Sequence, residues 1–169
     1  MAFFRQLTAG GLSLAHEGMI HRDLKPANVM IDKKGNLKII DLGYCEIITA
    51  KKVMKTFNVG SPSYMSPEAY SRTLYSEKSD AWALGMILYE LLHGRPLDQG
   101  MDIKLYFDEL KNNAQFVERR ISPNISHQIR ETLEKALKYK PEDRASISAM
   151  KYQADLYHIN QKKKGTNPN

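Results

Sequence analysis

Between Met19 and Tyr44 the chain reads "MIHRDLKPANVMIDKKGNLKIIDLGY". Two carboxylates, an amide and an amine stand in it at short spacing: Asp23, Lys25, Asn28 and Asp41. A carboxylate can accept a proton, an ammonium can neutralise an anion as a point charge, and carboxylate and amide oxygens suit a hard cation. Each group lies beside a short apolar run, Val29–Ile31 or 37–40. Taken singly they are ordinary. An isolated aspartate or asparagine is more often a cap or turn residue, and an isolated lysine a solvated one. The question is what brings them together.

The elements around them answer in part. The runs 29–31 and 37–40 read as two strands, and "DKKGN" between them as a turn with Gly35 and Asn36 as its flexible pair. Pairing those strands brings Asn28 and Asp41 to the same end of a hairpin, which the apolar runs suggest is buried. Phe3–His16 reads as a helix with Phe4, Leu7, Leu12, Leu14 and Ala15 on its apolar side, weakened by Gly10-Gly11 and stopped by Gly18. From Gly43 to Pro67 periodicity is lost, as in a functional loop. Helices then dominate: one capped by Ser76 and apolar on nearly every face from Ala81 to Leu92, then 102–112, 126–137 and 146–157.

"HRDLKPAN", His21 to Asn28, fits H-R-D-L-x-x-x-N, and "DLG", Asp41 to Gly43, follows eighteen positions after Asp23. "SPE", Ser66 to Glu68, then "SDAWALG" with Asp80 and Trp82, then "KPEDRAS" with Arg144, come in order. Together these motifs resemble the large C-terminal lobe of a eukaryotic serine/threonine protein kinase, over nearly the whole chain. The fold implied is mainly α, of an α+β family, with a short β-hairpin at the catalytic cleft. The domain would occupy 1–158, and 159–169 would be a basic flexible tail.

The resemblance implies transfer of the γ-phosphate of ATP to protein serine or threonine hydroxyls. Asp23 would orient the hydroxyl and accept its proton, and Lys25 would reach the transferring phosphate. Asn28 and Asp41 would hold Mg²⁺ through oxygen. Lys25 followed by Pro26, and "GSPSYMSPE" from Gly60 to Glu68, look like the serine/threonine form, with the Ser61 hydroxyl bridging Asp23 and Lys25. Glu68 would pair with Arg144, and Asp80 would hold the backbone of the catalytic loop, although a carboxylate there also suits the first turn of a helix. Trp82 reads as core. Arg22 would receive a phosphate on the activation segment, with Thr56 the first acceptor and Thr49 and Ser61 weaker ones. Leu42 stands where the family places phenylalanine, an apolar exchange at a packing position.

Within the 169 residues there is no glycine-rich G-x-G-x-x-G, no strand lysine for the α- and β-phosphates, and no helix bearing its glutamate partner. Two readings follow. The chain is a fragment of a full kinase with little activity alone, or it is a short binding or regulatory module. Either way the apolar floor of the nucleotide cleft would be exposed, to be covered by an N-terminal lobe or a partner.

Composition fits a soluble globular domain, with 42% hydrophobic and 26% charged residues. The net charge of +6 lies partly in the tail "QKKKGTNPN", and no nucleic-acid motif accompanies it. Cys45 is the sole cysteine, so no internal disulfide forms, which suits an intracellular and cytoplasmic setting. No leader is expected at the start, and the apolar segment 81–92 is too short to span a bilayer.

Overall fold

A computed structural model describes residues 2–47, 54–55, 60–72 and 74–165. The order is α1 (Ala2–His16), β1 (Met19–Ile20), β2 (Val29–Ile31), β3 (Leu37–Ile39), β4 (Glu46–Ile47), β5 (Met54–Lys55), α2 (Pro67–Arg72) and β6 (Leu74–Tyr75). It continues with α3 (Glu77–His93), α4 (Ile103–Asn112), α5 (Phe116–Arg120), α6 (His127–Ala136) and α7 (Ile147–Gly165).

The most apolar helix is the centre. Residues 79–89 of α3 are all buried, and α1, α6 and α7 pack around it. An apolar run without a polar face can satisfy itself only by being surrounded. Its ends are closed by local chemistry. The Ser76 hydroxyl accepts from the Lys78 N–H and the Ser79 hydroxyl from the Ser76 N–H, a reciprocal cap. Gly94 ends it in the left-handed region at φ 69°.

Gly10 and Gly11 do not interrupt α1; they let it approach its neighbours. A Cβ on Gly10 would lie 2.9 Å from Ile39 of the hairpin, and one on Gly11 3.1 Å from Leu84 of α3. The helix is therefore docked against both the core and β3 at the positions the sequence reads as weak.

The hairpin forms in the expected register, with Val29 opposite Ile39 and Ile31 opposite Leu37. Asp32 closes its turn, accepting from the N–H groups of Lys34 and Asn36 at 2.8 Å each. The expectation that it is buried is corrected. Only one face packs on α1 and the core; Met30 is 57% and Ile31 55% exposed. A two-stranded ribbon has two faces, and the described residues cover one of them. Leu42, Tyr44 and Ile47 are also exposed.

Two further corrections concern boundaries. The stretch 43–67, read as irregular, contributes β4, paired antiparallel with β1, and β5, paired with β6. The last helix runs to Gly165, so the boundary drawn at 158 falls inside α7, and 159–165 of the expected flexible tail is helical. Gln161 to Lys164 are good helix formers, and no proline or glycine interrupts 147–164.

Candidate functional site

The loop between β1 and β2 carries Asp23, Lys25 and Asn28. Its start is fixed from below. Asp80, in the first turn of α3, accepts from the His21 N–H at 2.7 Å and the Arg22 N–H at 3.1 Å, one per carboxylate oxygen. Arg22 has φ 69°, a left-handed conformation that is costly for a branched-Cβ or long side chain and persists only where surroundings enforce it. Burial pushes the Asp80 carboxyl up to about 6, against the pull of the two N–H groups and of His21.

His21, which sequence spacing alone gives no site role, is fully buried and joins the loop to the hairpin. Its Nε2 lies 3.1 Å from the Ile40 carbonyl oxygen, which requires Nε2 to donate. Nδ1 is then free to accept from the Asp23 N–H, at 3.4 Å. The Asn28 carbonyl accepts from the Ile40 N–H at 2.9 Å. These bonds set Asp41, one residue on, at the same end of the hairpin as Asn28.

Asp23 is buried and its carboxylate is the hub. Oδ2 receives Lys25 Nζ at 2.9 Å and Asn28 Nδ2 at 3.1 Å. Oδ1 receives the Ser61 hydroxyl at 3.2 Å, and that hydroxyl accepts from Lys25 Nζ at 2.8 Å. Asn28 Nδ2 also donates to the Asp23 carbonyl at 2.8 Å. A carboxylate offers about four acceptor directions; three are used, and one at Oδ1 remains. Asn28 spends its NH₂ on Asp23, which leaves its Oδ1 as an acceptor. Asp41 is exposed in the left-handed region at φ 61°, and one of its oxygens accepts from the Gly43 N–H at 3.3 Å.

Ser61 reaches Asp23 because Gly60 permits it. Gly60 has φ 108°, and a Cβ there would stand 2.7 Å from the Arg22 carbonyl oxygen. Past Ser61, the Ser63 hydroxyl donates to Asp98 at 2.7 Å and the Tyr64 hydroxyl to Glu90 at 2.5 Å. Burial, and then the Glu90 carboxylate, push the Tyr64 phenol well above its ordinary value. The segment ends at Glu68, which forms a two-pronged pair with Arg144 at 2.8 and 2.9 Å. Burial alone would raise the Glu68 carboxyl; the guanidinium overrides it and holds the group below its ordinary range.

Arg22 is already engaged. Its Nη2 meets Glu46 at 3.1 Å, its Nε donates to the Tyr44 carbonyl, and the guanidinium lies 5.9 Å from the centre of the Tyr75 ring. Nothing in the sequence pattern marked Glu46 for this. Thr56 and Thr49, the expected phosphate acceptors, lie outside the described residues. Trp82 is core, with 0% exposure, and Arg144 stacks over it at 5.0 Å.

The arrangement holds a carboxylate, an ammonium and a hydroxyl in mutual contact, with a free amide oxygen and an exposed carboxylate beside them. Among the described residues no group of three or more His, Cys, Asp or Glu side chains could hold a metal alone. Two protein oxygens would leave the remaining positions to phosphate oxygens and water, which is how Mg²⁺ is commonly held. No helix among the described residues is long and apolar enough to cross a membrane.

Comparison with known proteins agrees in one direction. Residues 1–154 match the family model described as protein kinase domain. The chain is 33% identical over 146 residues to serine/threonine-protein kinase STE20 of Saccharomyces cerevisiae, covering 85% of this chain and 15% of that protein. It is 34% identical over 150 residues to serine/threonine-protein kinase SKM1 of the same yeast, covering 87% and 22%. It is 34% identical over 142 residues to serine/threonine-protein kinase ste20 of Aspergillus fumigatus, covering 82% and 17%. The chain thus spans less than a quarter of the length of these relatives.

Proposed function

The chain belongs to the protein kinase family, whose model its residues 1–154 match, and from that premise we propose that it carries the catalytic half of a serine/threonine protein kinase. The reaction is transfer of the terminal phosphoryl group of ATP to a protein serine or threonine hydroxyl. The observation that carries the reading is the convergence of Lys25, Asn28 and Ser61 on the Asp23 carboxylate, with one acceptor direction of Oδ1 left over.

In this reading Asp23 orients the incoming hydroxyl at that open direction and takes its proton as the oxygen attacks phosphorus. Lys25, already paired to Asp23, sets a positive charge beside the group in transfer. Ser61 bridges the two, donating to Asp23 Oδ1 and accepting from Lys25, and so holds both side chains in place. Asn28 Oδ1 and Asp41 are assigned to Mg²⁺. ATP with Mg²⁺ supplies the phosphoryl group and the neutralisation of its charge. Asp80 and the Glu68–Arg144 pair are positioning residues that act through the backbone of the loop and segment. For Arg22 the proposal keeps a regulatory role, as the cation toward which a phosphate at Thr56 would be drawn, in competition with Glu46. An intracellular location goes with ATP as donor and with Cys45 as a free thiol.

The 169 residues hold no G-x-G-x-x-G and no V-A-I-K lysine for the α- and β-phosphates, so the proposal needs a covering element. The exposed apolar residues between Met30 and Ile47 mark where it would sit. The same exposure is what favours the second reading, a binding module that uses this face without catalysis.

The test is Mg²⁺-ATP-dependent phosphorylation of a serine/threonine peptide pool by the full protein that the transcript encodes, beside its Asp23→Asn variant. The expected result is transfer that falls by about 10²–10⁴-fold in the variant, with little transfer by the 169 residues alone. Absent transfer, or transfer indifferent to Asp23→Asn, overturns the kinase reading. Transfer by the 169 residues alone, abolished by Asp23→Asn, keeps the chemistry and removes the need for a cover. If the purified protein, phosphorylated in trans, never carries phosphate at Thr56, the role given to Arg22 fails.

A further inference from the structure

A second feature lies apart from the Asp23 cluster. Parts of α2, β6, the start of α3, the end of α4 and the turn at 139–142 enclose a cavity of about 770 Å³. None of Asp23, Lys25, Asn28 and Ser61 lines it. That volume is within the range of ligand-binding clefts, about 300–1,000 Å³. A smaller hollow of about 280 Å³ shares Lys111, Tyr139 and Lys140 with it and continues along α4 and α5. The two adjoin at these three residues and together make a trough that reaches from β6 to α5. Such a shape suits an extended chain better than a compact ligand.

The chemistry of the walls narrows the occupant. The lining of the larger cavity includes the apolar Leu74, Tyr139 and Pro141, and its cations are Lys78, Lys111 and Lys140. Of its two carboxylates, Glu68 is committed to Arg144, and only Glu142 is uncommitted. Lys78 donates to the Arg144 carbonyl oxygen. Lys111 and Lys140 are exposed, and neither makes an ion pair among the described residues. The smaller hollow differs in balance: it shares Lys111 and Lys140, adds Lys138, and is also lined by Glu118, Glu134 and Asp143. The lining of the larger cavity thus carries three lysines against one uncommitted carboxylate, beside Leu74, Tyr139 and Pro141, whereas that of the smaller carries three against three.

We propose that this trough docks an acidic peptide segment of a partner protein. An apolar side chain of the peptide seats on Leu74, Tyr139 and Pro141, and neighbouring carboxylates pair with Lys111 and Lys140. The carboxylates meet these lysines from the side of the larger cavity, away from Glu118, Glu134 and Asp143. The inference does not depend on phosphoryl transfer at Asp23; it adds a separate surface that selects a partner by charge. Exposed ion pairs are individually weak and screened by salt, so the apolar anchor and the two lysines must act together.

The test selects random displayed peptides on the chain, with counter-selection on its Lys111→Glu/Lys140→Glu variant. Enriched peptides are then measured by fluorescence anisotropy. The proposal expects acidic residues flanking an apolar one, binding that weakens with added salt, and about tenfold or greater loss in the double variant. Lys111→Ala/Lys140→Ala should weaken binding less, and Lys33→Glu/Lys34→Glu, on the exposed hairpin turn, should leave it unchanged. Thermal unfolding of each variant checks the fold; both target lysines are exposed, and the alanine pair stands in if charge reversal unfolds the chain. No enrichment, enrichment of non-acidic peptides, or equal loss in the hairpin-turn variant overturns the proposal. So does lysine-dependent binding to vesicles containing phosphatidylserine without any peptide enrichment, which would make the surface a membrane contact.

Discussion

Asp80 shows what one enclosed side chain does for the loop above it. Each of its carboxylate oxygens faces a different main-chain N–H, of His21 and of Arg22, and the second of these residues sits at positive φ. Two charge-assisted bonds hold a backbone conformation that the loop would not choose by itself. The cost is a buried charge. Burial raises the Asp80 carboxyl to about 6, above its ordinary 3.8, so between those values the folded chain binds a proton that the unfolded chain has released. Its contribution to stability is complete below about pH 4 and is lost as pH rises through about 6. Urea midpoints of wild type and Asp80→Asn between pH 4 and 7 check this. Asn cannot accept at both N–H groups and is destabilised throughout, but the gap between the two proteins should narrow as pH rises. His21 and Glu77, the other groups facing Asp80, are present in both proteins. A gap that is constant or widens with pH sinks the assignment.

At the scale of elements, Arg144 ties three pieces of chain together. Its side chain has 0% exposure and its five N–H donors all have acceptors. Two go to Glu68 of α2, one to the Lys78 carbonyl of α3, and two to the carbonyls of Lys138 and Tyr139 after α6. Arg144→Ala should lower stability by about 3–5 kcal/mol, because it strands a buried carboxylate as well as removing bonds. Arg144→Lys should recover little, since an ammonium cannot copy the planar fork; chemical denaturation that places it within about 1 kcal/mol of wild type would contradict this account. Such long-range ties also mark the limit of what the sequence discloses. Helices of ten residues or more could be read from their periodicity and caps, and the hairpin from its turn. The two-residue strands β1, β4, β5 and β6 carry no period to read. Exposure of Met30 and Ile31 depends on what covers the second face of a ribbon, which local pattern does not encode. Within the site, the contacts among Asp23, Lys25 and Asn28 follow from spacing. Ser61, Glu68, Asp80 and Arg144 meet their partners across 36 to 76 positions and could be named only through family resemblance. Glu46 on Arg22 had no signal at all.

For the molecule as a whole, two surfaces oppose each other in how they respond to salt. The apolar residues Met30, Ile31, Leu42, Tyr44 and Ile47 fall within eighteen positions and are all exposed, an arrangement that favours association through burial of apolar area. The net charge of +6 opposes it by mutual repulsion between copies. Salt screens that repulsion over about 8–10 Å at physiological strength and leaves the apolar attraction in place. The 169-residue chain should therefore self-associate with rising concentration, and more strongly with rising salt, whereas acidic peptides on the Lys111–Lys140 trough should be released by salt. Sedimentation velocity over a range of concentration and salt separates the two effects. Ile31→Lys/Ile47→Lys should return the chain to a monomer without lowering its thermal midpoint, because neither side chain contributes to the core. A chain that stays monomeric at high salt would mean that these residues do not act as one sticky face. The covering element that the proposed catalysis calls for would then have to be held by something other than these apolar residues.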